Sequence, residues 1–334
     1  MIDKLRARSV NSRHFVVREF VGDLRLGAAL SIVVLTAFLG GCSPRSAPGT
    51  VEDSVTSGRI RIVVASEVGD LISRERSAFL ALYPLSDIRL DSGTSREAVR
   101  ALFAAECDLA VISRELRPEE RRSASVGGLE LEGYRFARNA VLMIVHPTNP
   151  VENLSLDEVR QIYKGQVSDW SQLGGRSGAI VPVVQRPETD VTEFFAEEAL
   201  GGEPMVARAV MAQNDSDVVA AVARERNAVG YVALGAATAN VKVVRIATVR
   251  GLPYWKPDLE AIYRGDYPLT RFYNVYVRAG APRLAGGFIT FVTSMDGQRL
   301  VKEMGLVPTS VPVRFVRRSL MLSTHSRGDS ISTP

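Results

Sequence analysis

Hydroxyl and arginine side chains stand where strand-like runs of this sequence end and helix-like runs begin. Such junctions suit the binding of a tetrahedral oxyanion, because N–H groups at a helix N-terminus and the helix dipole both favour negative charge. Hydroxyls add donors, and an arginine adds a fork of N–H bonds. The same residue types also cap helices in any α/β protein. The candidate binding residues of this kind are Ser66, Ser92, Thr94, Ser113, Arg114, Arg186, Thr189 and Thr192.

Short apolar runs alternate with helical patterns along the chain, which is typical of parallel α/β sheets. Ser155 and Glu158 form a capping box that predicts a helix start. The predicted strands are residues 60–65, 88–91, 109–112, 140–145, 180–184, 229–233, 241–246 and 272–277. The predicted helices are residues 71–83, 96–105, 156–164, 189–200, 217–225 and 284–294. These junctions therefore belong to a doubly wound α/β fold.

Residues 1–41 have the pattern of an export signal. A basic stretch ends at Arg25, and the apolar run at 26–39 is shorter than the about 20 residues that cross a bilayer. The sequence LGGC at 39–42 resembles the lipobox of bacterial lipoproteins, so Cys42 is the predicted lipidation site. Residues 42–58 are predicted to be a flexible tether. Cys107 then lacks a disulfide partner. The expected location is the periplasmic or extracellular face of the envelope.

The net charge of +4 resides mainly in this leader. Residues 1–41 hold six basic and three acidic side chains, which leaves 35 basic and 34 acidic residues elsewhere. That balance argues against a nucleic-acid partner, which would require a basic surface. The length of 334 residues suits two lobes.

Catalytic spacings are not evident in the sequence. The three histidines are His14, His146 and His325, and no Ser-His-Asp set, HExxH motif or paired CxxC motif is present. Glu67 and Asp190 could form a pair of carboxylates across a cleft, but nothing specifies a substrate for them. We therefore expect a protein that is not an enzyme and that needs no metal or cofactor.

Several segments resemble the phosphate-binding receptors of ABC transporters, a branch of the type 2 periplasmic-binding-protein fold. Their order and spacing over about residues 60–310 carry the resemblance, because each motif alone is weak. The matching stretches are VHPTNP at 145–150, NLS at 153–155, IYKG at 162–165, AVGYV at 228–232, YPLTR at 267–271, DGQ at 296–298 and GLVP at 305–308.

The resemblance implies two doubly wound lobes joined by two crossover strands, with the ligand in the cleft between them. Lobe one would take residues 59–138 plus about 250–312, lobe two residues 139–249, and residues 313–334 would be a disordered tail. It further implies a monomer that captures a small anion such as phosphate and delivers it to an ABC permease. Closure of the hinge would carry the signal to that partner.

The family's binding positions fall on the residues already singled out. Ser66 lies in its first phosphate loop and Ser92 in its second, while Ser113 matches a position beside the anion. Arg186 matches the family arginine, and Thr192 the last residue of its Arg-x-x-Gly-Ser-Gly-Thr motif. These matches favour binding roles over simple helix capping.

The chain departs from the family at positions where a negative charge would affect anion binding. Glu67 replaces a hydroxyl residue, Asp190 replaces the motif serine, and Thr189 and Val191 replace its glycines. A carboxylate 4 Å from an anionic oxygen costs on the order of 4 kcal/mol at an effective dielectric near 20. Two alternatives stay open: either carboxylate points away to cap a helix, or it accepts a hydrogen bond from a protonated ligand oxygen.

Two functions follow from these departures. The first is an oxyanion receptor for transport, in which Arg114 and Arg186 offset part of the negative charge. The alternative is a receptor-like module whose cleft has lost its ligand and which contacts an envelope sensor or another envelope protein.

Overall fold

The computed structural model describes residues 52–205 and 208–309. The predicted leader, the lipidation site Cys42 and the predicted tail all lie outside these ranges. No helix within the described residues is long and apolar enough to cross a membrane.

Strands and helices alternate along most of the chain, as the sequence pattern predicts. Two short 3₁₀ turns, Ser66–Val68 and Trp170–Leu173, supplement them. The strands are β1 (Gly58–Ala65), β2 (Ser86–Gly93), β3 (Leu109–Ile112), β4 (Leu131–Val145), β5 (Asn153–Ser155), β6 (Val181–Gln185), β7 (Val210–Ala212), β8 (Ala228–Ala233), β9 (Lys242–Val243), β10 (Arg245–Ala247), β11 (Thr270–Arg278) and β12 (Val307–Pro308). The helices are α1 (Gly69–Leu82), α2 (Ser95–Phe103), α3 (Pro118–Val126), α4 (Leu156–Tyr163), α5 (Asp190–Glu198), α6 (Asp215–Arg224), α7 (Leu259–Arg264), α8 (Arg283–Thr293) and α9 (Met295–Glu303).

Lobe one is built on the strand order β2-β1-β3-β11-β4. Strands β1, β2 and β3 run parallel, whereas β11 runs antiparallel to both β3 and β4. Apolar side chains of β1 such as Ile62 and Val64 are buried, which explains why its sequence reads as a continuous apolar run. Separate apolar cores cover the two faces of this sheet.

Lobe two continues from the same long strand, in the order β4-β8-β6-β7. The first part of β4 pairs with β11, and the part from Val141 to Val145 pairs with β8. Close to the change of partner, the Val141 N–H donates to the carbonyl of Leu269 at 2.9 Å, just before β11 returns to lobe one. Two adjacent crossover strands therefore join the lobes, and the predicted fold class is confirmed.

The packing of residues 250–269 moves the predicted division between the lobes. The predicted division puts this segment in lobe one, yet Ile262, Tyr267 and Leu269 are fully buried in the core of lobe two. They lie there because the chain covers β4 with α7 before it crosses back. The packing favours a boundary near residue 269, and the exact extents of the lobes stay a prediction.

The last residues of the predicted tether pack on lobe one. Asp53 accepts N–H bonds from Arg283 and Leu284 at 2.8 and 3.4 Å, and so caps the start of α8. A carboxylate at a helix N-terminus is stabilised by the orphan N–H groups and the dipole. The predicted tether at 42–58 is therefore too long at its C-terminal end, because β1 begins at Gly58 and Asp53 is already anchored.

Candidate functional site

A cavity of about 670 Å³ lies where strand-to-helix junctions of both lobes meet. Lobe one contributes the residues that follow β1 and β2, and lobe two contributes those that follow β6 and β7. This is the expected position of a ligand site, because the carboxyl ends of parallel strands share one edge of a sheet. The cavity is lined by Ser66, Glu67, Gly93, Thr94, Gln185, Arg186, Glu188, Thr189, Asp190, Val191, Gln213, Asn214 and Asp215.

The lobe-one wall consists of hydroxyl groups that are already hydrogen-bonded within the lobe. The Ser66 hydroxyl donates to the carbonyl of Gly93 at 2.9 Å and lies 3.0 Å from the hydroxyl of Ser92. Thr94 caps α2 by accepting the Glu97 N–H at 3.2 Å, and Glu97 accepts the Thr94 N–H at 2.7 Å. These bonds from Thr94 lower the pKa of Glu97. Ser92 does not line the cavity, but its hydroxyl contacts the Ser66 hydroxyl, which does.

The lobe-two wall is the start of α5, which Thr189 caps. The Thr189 hydroxyl accepts the Thr192 N–H at 3.3 Å, and the Thr192 hydroxyl lies 2.8 Å from the buried hydroxyl of Tyr231. Thr192 is therefore part of the support for this wall and does not line the cavity. Arg186 is exposed at the cavity, and no carboxylate of the described residues forms an ion pair with it.

Asp190 reaches across the cleft to the opposite lobe. Its two carboxylate oxygens lie 3.1 and 3.2 Å from the backbone N–H of Ser95, in the first turn of α2. Asp190 is 8% exposed and Ser95 is fully buried, so the contact is screened little by solvent. The predicted alternative of a helix-capping carboxylate is close to what the structure shows, except that the capped helix belongs to the other lobe.

Glu67 forms a buried ion pair at the back of the cavity with Arg271, which lies at the start of β11. One carboxylate oxygen of Glu67 also accepts bonds from the Tyr273 hydroxyl at 2.8 Å and the Asn139 amide at 2.9 Å. The other oxygen is buried without a hydrogen-bond partner among the described residues. Burial raises the pKa of Glu67, and the guanidinium of Arg271 opposes that shift.

A third carboxylate, Asp215, stands at the start of α6. It accepts a bond from the Gln185 amide at 2.6 Å and a longer one from the Ala233 N–H at 3.4 Å. Burial raises the pKa of Asp215, although the bond from Gln185 acts in the opposite direction. The cavity thus combines fixed donors with several carboxylates, and within the described residues Glu67 is the one among them that forms an ion pair with a buried cation.

Ser113 and Arg114 do not line this cavity. Ser113 is fully buried, and its N–H donates to the Ser95 hydroxyl at 3.1 Å, so it supports the start of α2 from behind. Arg114 directs both terminal nitrogens to Glu120, at 2.7 and 2.8 Å, and lines a separate groove of about 440 Å³. Its ion pair is with Glu120, so its guanidinium makes no direct contact with the carboxylates that line the cavity.

Sequence reasoning missed several residues of the cleft. Arg271 lies within the family-like stretch YPLTR, and Asn139 lies just before the predicted strand at 140–145. Tyr273 reads as an ordinary strand residue of β11, since its hydroxyl partner Glu67 is more than two hundred positions away in sequence. Asp215 follows Asn214, the N-cap of α6, and this junction was the available signal for it. No group of acidic, histidine or cysteine side chains within the described residues could hold a metal ion.

Comparison with known proteins identifies relatives of this chain. A family model described as a PBP superfamily domain matches residues 49–296. The chain is 27% identical over 318 residues to the phosphate-binding protein PstS of Pseudomonas aeruginosa, a match that covers 89% of this chain and 97% of that protein. PstS of Bacillus subtilis is 24% identical, with 86% and 93% covered.

Solved structures show the same fold. An ABC-type phosphate transport receptor from Vibrio cholerae superimposes with a TM-score of 0.66 and 22% identity, and covers 74% of this chain and 99% of its own. PstS from Borrelia burgdorferi gives a TM-score of 0.61 and 18% identity, with 76% and 100% covered. Since the family match spans most of the sequence, this chain belongs to the PBP superfamily, as its resemblance to periplasmic binding proteins predicted.

Proposed function

We propose that this protein is an extracytoplasmic solute-binding receptor of an ABC transporter, and that its interlobe cleft takes a small oxyanion, with phosphate as the first candidate. The relatives named above are phosphate-binding proteins, and the match covers nearly the whole length of each. We further propose that Cys42 carries a lipid that holds the receptor at the membrane.

One observation carries the proposal: helix starts from both lobes open on a single cavity. Helix α2 comes from lobe one, while α5 and α6 come from lobe two, and residues at the start of each line the cavity. The N–H groups and the dipoles at such helix starts favour a negative ligand. Burial between two lobes also strengthens each of these contacts relative to water.

Arg186 supplies an accessible positive charge for such a ligand. It is exposed at the cavity and unpaired among the described carboxylates, so a ligand need not displace an internal partner to reach it. A hydrogen bond to a charged group contributes about 1.5–3 kcal/mol. We therefore expect Arg186→Ala to weaken oxyanion binding at least tenfold.

Isothermal titration of the purified protein with phosphate, sulfate and other anions tests the proposal. Saturable phosphate binding at micromolar concentration or below, lost at least tenfold in Arg186→Ala, is the expected result. The matched control is Arg176→Ala, because Arg176 is also an exposed arginine of lobe two but lines a different pocket. Absence of binding across the whole panel would refute the receptor function and would favour the interaction module. Equal affinity of both variants would remove Arg186 from the site.

A further inference from the structure

Helix α5 of lobe two presents a row of carboxylates to lobe one. Asp190, Glu193 and Glu197 occupy successive turns of this helix, so they lie on one face. Behind them, Phe195 packs against Tyr163 and Tyr231 in the core of lobe two, and this packing fixes the orientation of the row. The row therefore belongs to lobe two while facing lobe one.

Each carboxylate of the row has a partner on lobe one, which is an arginine for Glu193 and Glu197 and a backbone N–H for Asp190. Glu193 pairs with Arg96 of α2 at 2.7 Å and with Arg117, at the start of α3, at 3.0 Å. Glu197 pairs with the same Arg117 at 2.8 Å. The side chain of Glu193 is 12% exposed, so its two bonds are only partly screened. The partner of Asp190 is the Ser95 N–H.

The start of α2 is the place where an anion would be expected to bind. Thr94 and Glu97 satisfy each other in a capping box, which leaves the Ser95 N–H as a further donor of the first turn. Asp190 accepts that N–H with both oxygens, and the Ser95 hydroxyl is held by Ser113. The Asp190 carboxylate therefore makes the contact that an oxygen of an external oxyanion would make.

Local helix capping does not explain this orientation of Asp190. Thr189 already caps α5, because its hydroxyl accepts the N–H of Thr192. Asp190 is the first residue of the helix, and its backbone carbonyl accepts a bond from the buried guanidinium of Arg271 at 3.3 Å. With its backbone held by its own lobe and by the crossover strand, its side chain is aimed into lobe one.

We propose that the Asp190 carboxylate occupies the position beside the Ser95 N–H, at the start of α2, where an anion would bind; this position is called the anion seat. Together with Glu193 and Glu197, Asp190 holds the two lobes together when no solute is bound. This inference rests on the proposed function in one respect: an oxyanion solute must displace Asp190 to reach the seat. A tethered group competes at an effective concentration in the millimolar range. Asp190 is therefore a determinant of affinity and specificity in this cleft.

The distance between the two lobes, measured in the absence of solute, tests whether these carboxylates hold the lobes together. Spin labels on introduced cysteines at Ser73 of α1 and Ala220 of α6, both exposed, report the separation of the lobes, with Cys42→Ser in the background and Cys107 buried. In phosphate-free buffer we expect one short distance for the parent protein and a longer or broader distribution for Asp190→Asn and Glu193→Gln. Glu260→Gln is the control, because its pair with Arg264 is exposed on α7.

Salt and phosphate titrations complete the test. Raising the salt concentration to about 1 M, where the Debye length is about 3 Å, should lengthen the distance in the parent protein but not in Asp190→Asn/Glu193→Gln. Phosphate should bind at least tenfold more tightly to Asp190→Ser than to the parent. Distances in Asp190→Asn and Glu193→Gln that equal the control, with all three variants folded by circular dichroism, would overturn the inference.

The two proposals fail in different ways. If the variants open but phosphate binds to none of them, the tethered carboxylate is supported and phosphate transport is refuted. If phosphate binds the parent protein and Asp190→Ser binds it no more tightly, the receptor function stands and Asp190 does not occupy the seat.

Discussion

Replacement of Arg271 by methionine is expected to lower the free energy of unfolding by about 3–5 kcal/mol, because it leaves a buried carboxylate without its cation. Arg271 is 2% exposed in its side chain and Glu67 is 12% exposed, so solvent compensates little. The bonds from Tyr273 and Asn139 to Glu67 survive the change and moderate the loss. The contact of the guanidinium with the ring of Phe194, 5.2 Å away, is lost as well.

Urea unfolding at pH 7 measures this loss, and a double-mutant cycle assigns it. Glu67→Gln combined with Arg271→Met removes both charges, so the double variant should recover at least 1 kcal/mol relative to the sum of the single losses. Arg59→Met is the control, since Arg59 pairs with Asp87 on the surface and should cost no more than about 1 kcal/mol. A loss in Arg271→Met no larger than in this control would refute the reasoning.

The same variant should show a pH dependence of defined sign. Burial raises the pKa of Glu67 in the folded protein, and removal of Arg271 removes the charge that opposes this shift. A carboxyl group with a raised pKa stabilises the fold below its unfolded pKa of about 4.5, and this contribution is lost as the pH rises through the folded pKa. The loss of unfolding free energy in Arg271→Met should therefore be smaller at pH 5 than at pH 7. A loss that increased towards acid pH would contradict the conclusion that the ionised Glu67 causes it.

Two further predictions concern lobe one. Glu75 of α1 has no exposed surface and no hydrogen-bond partner among the described residues, and burial raises its pKa to about 9. The unfolding free energy from urea titrations should fall between about pH 4.5 and 9, because the unfolded chain loses the Glu75 proton at lower pH than the folded protein. Glu75→Gln should lack this dependence of the unfolding free energy on pH. An unchanged dependence in that variant would assign the titration to another group. Gly287→Ala puts a methyl 1.8 Å from the Val55 carbonyl oxygen and should cost more than about 1 kcal/mol, whereas Gly286→Ala meets nothing within 4 Å and should stabilise α8 by up to about 1 kcal/mol. Equal effects of the two alanines in the same titrations would show that Val55 does not rest on α8.

Local signals predicted most of the elements that surround the cleft. The capping box at Ser155 opens α4 as expected, and the buried strand β3 has the predicted limits. The sequence does not predict the first half of β4, because residues 132–135 are exposed and include Glu132 and Arg135, so this half lacks the apolar run of the second half. The predicted strand at 241–246 is two strands, since Val244 turns its N–H to Met143 while its neighbours pair with different partners.

The candidate site was less accessible to sequence reasoning. Arg186 and Thr189 sit at the cavity because helix starts must follow strand ends, and this rule can be applied to a single sequence. The partner of Asp190 depends on how the two lobes face each other, and no local pattern encodes that. Arg114 is a different case, because the sequence predicts it at the cleft whereas its ion-pair partner is Glu120, only six positions later in the chain.

The single strand β4 has a mechanical consequence. Because β4 is hydrogen-bonded into the sheets of both lobes, any relative motion of the lobes would have to twist the strand itself. The register irregularity opposite Tyr273 and Asn274 is where the twist can be absorbed with few broken bonds. Such twisting would strain both crossover strands and would therefore limit how far the lobes can open.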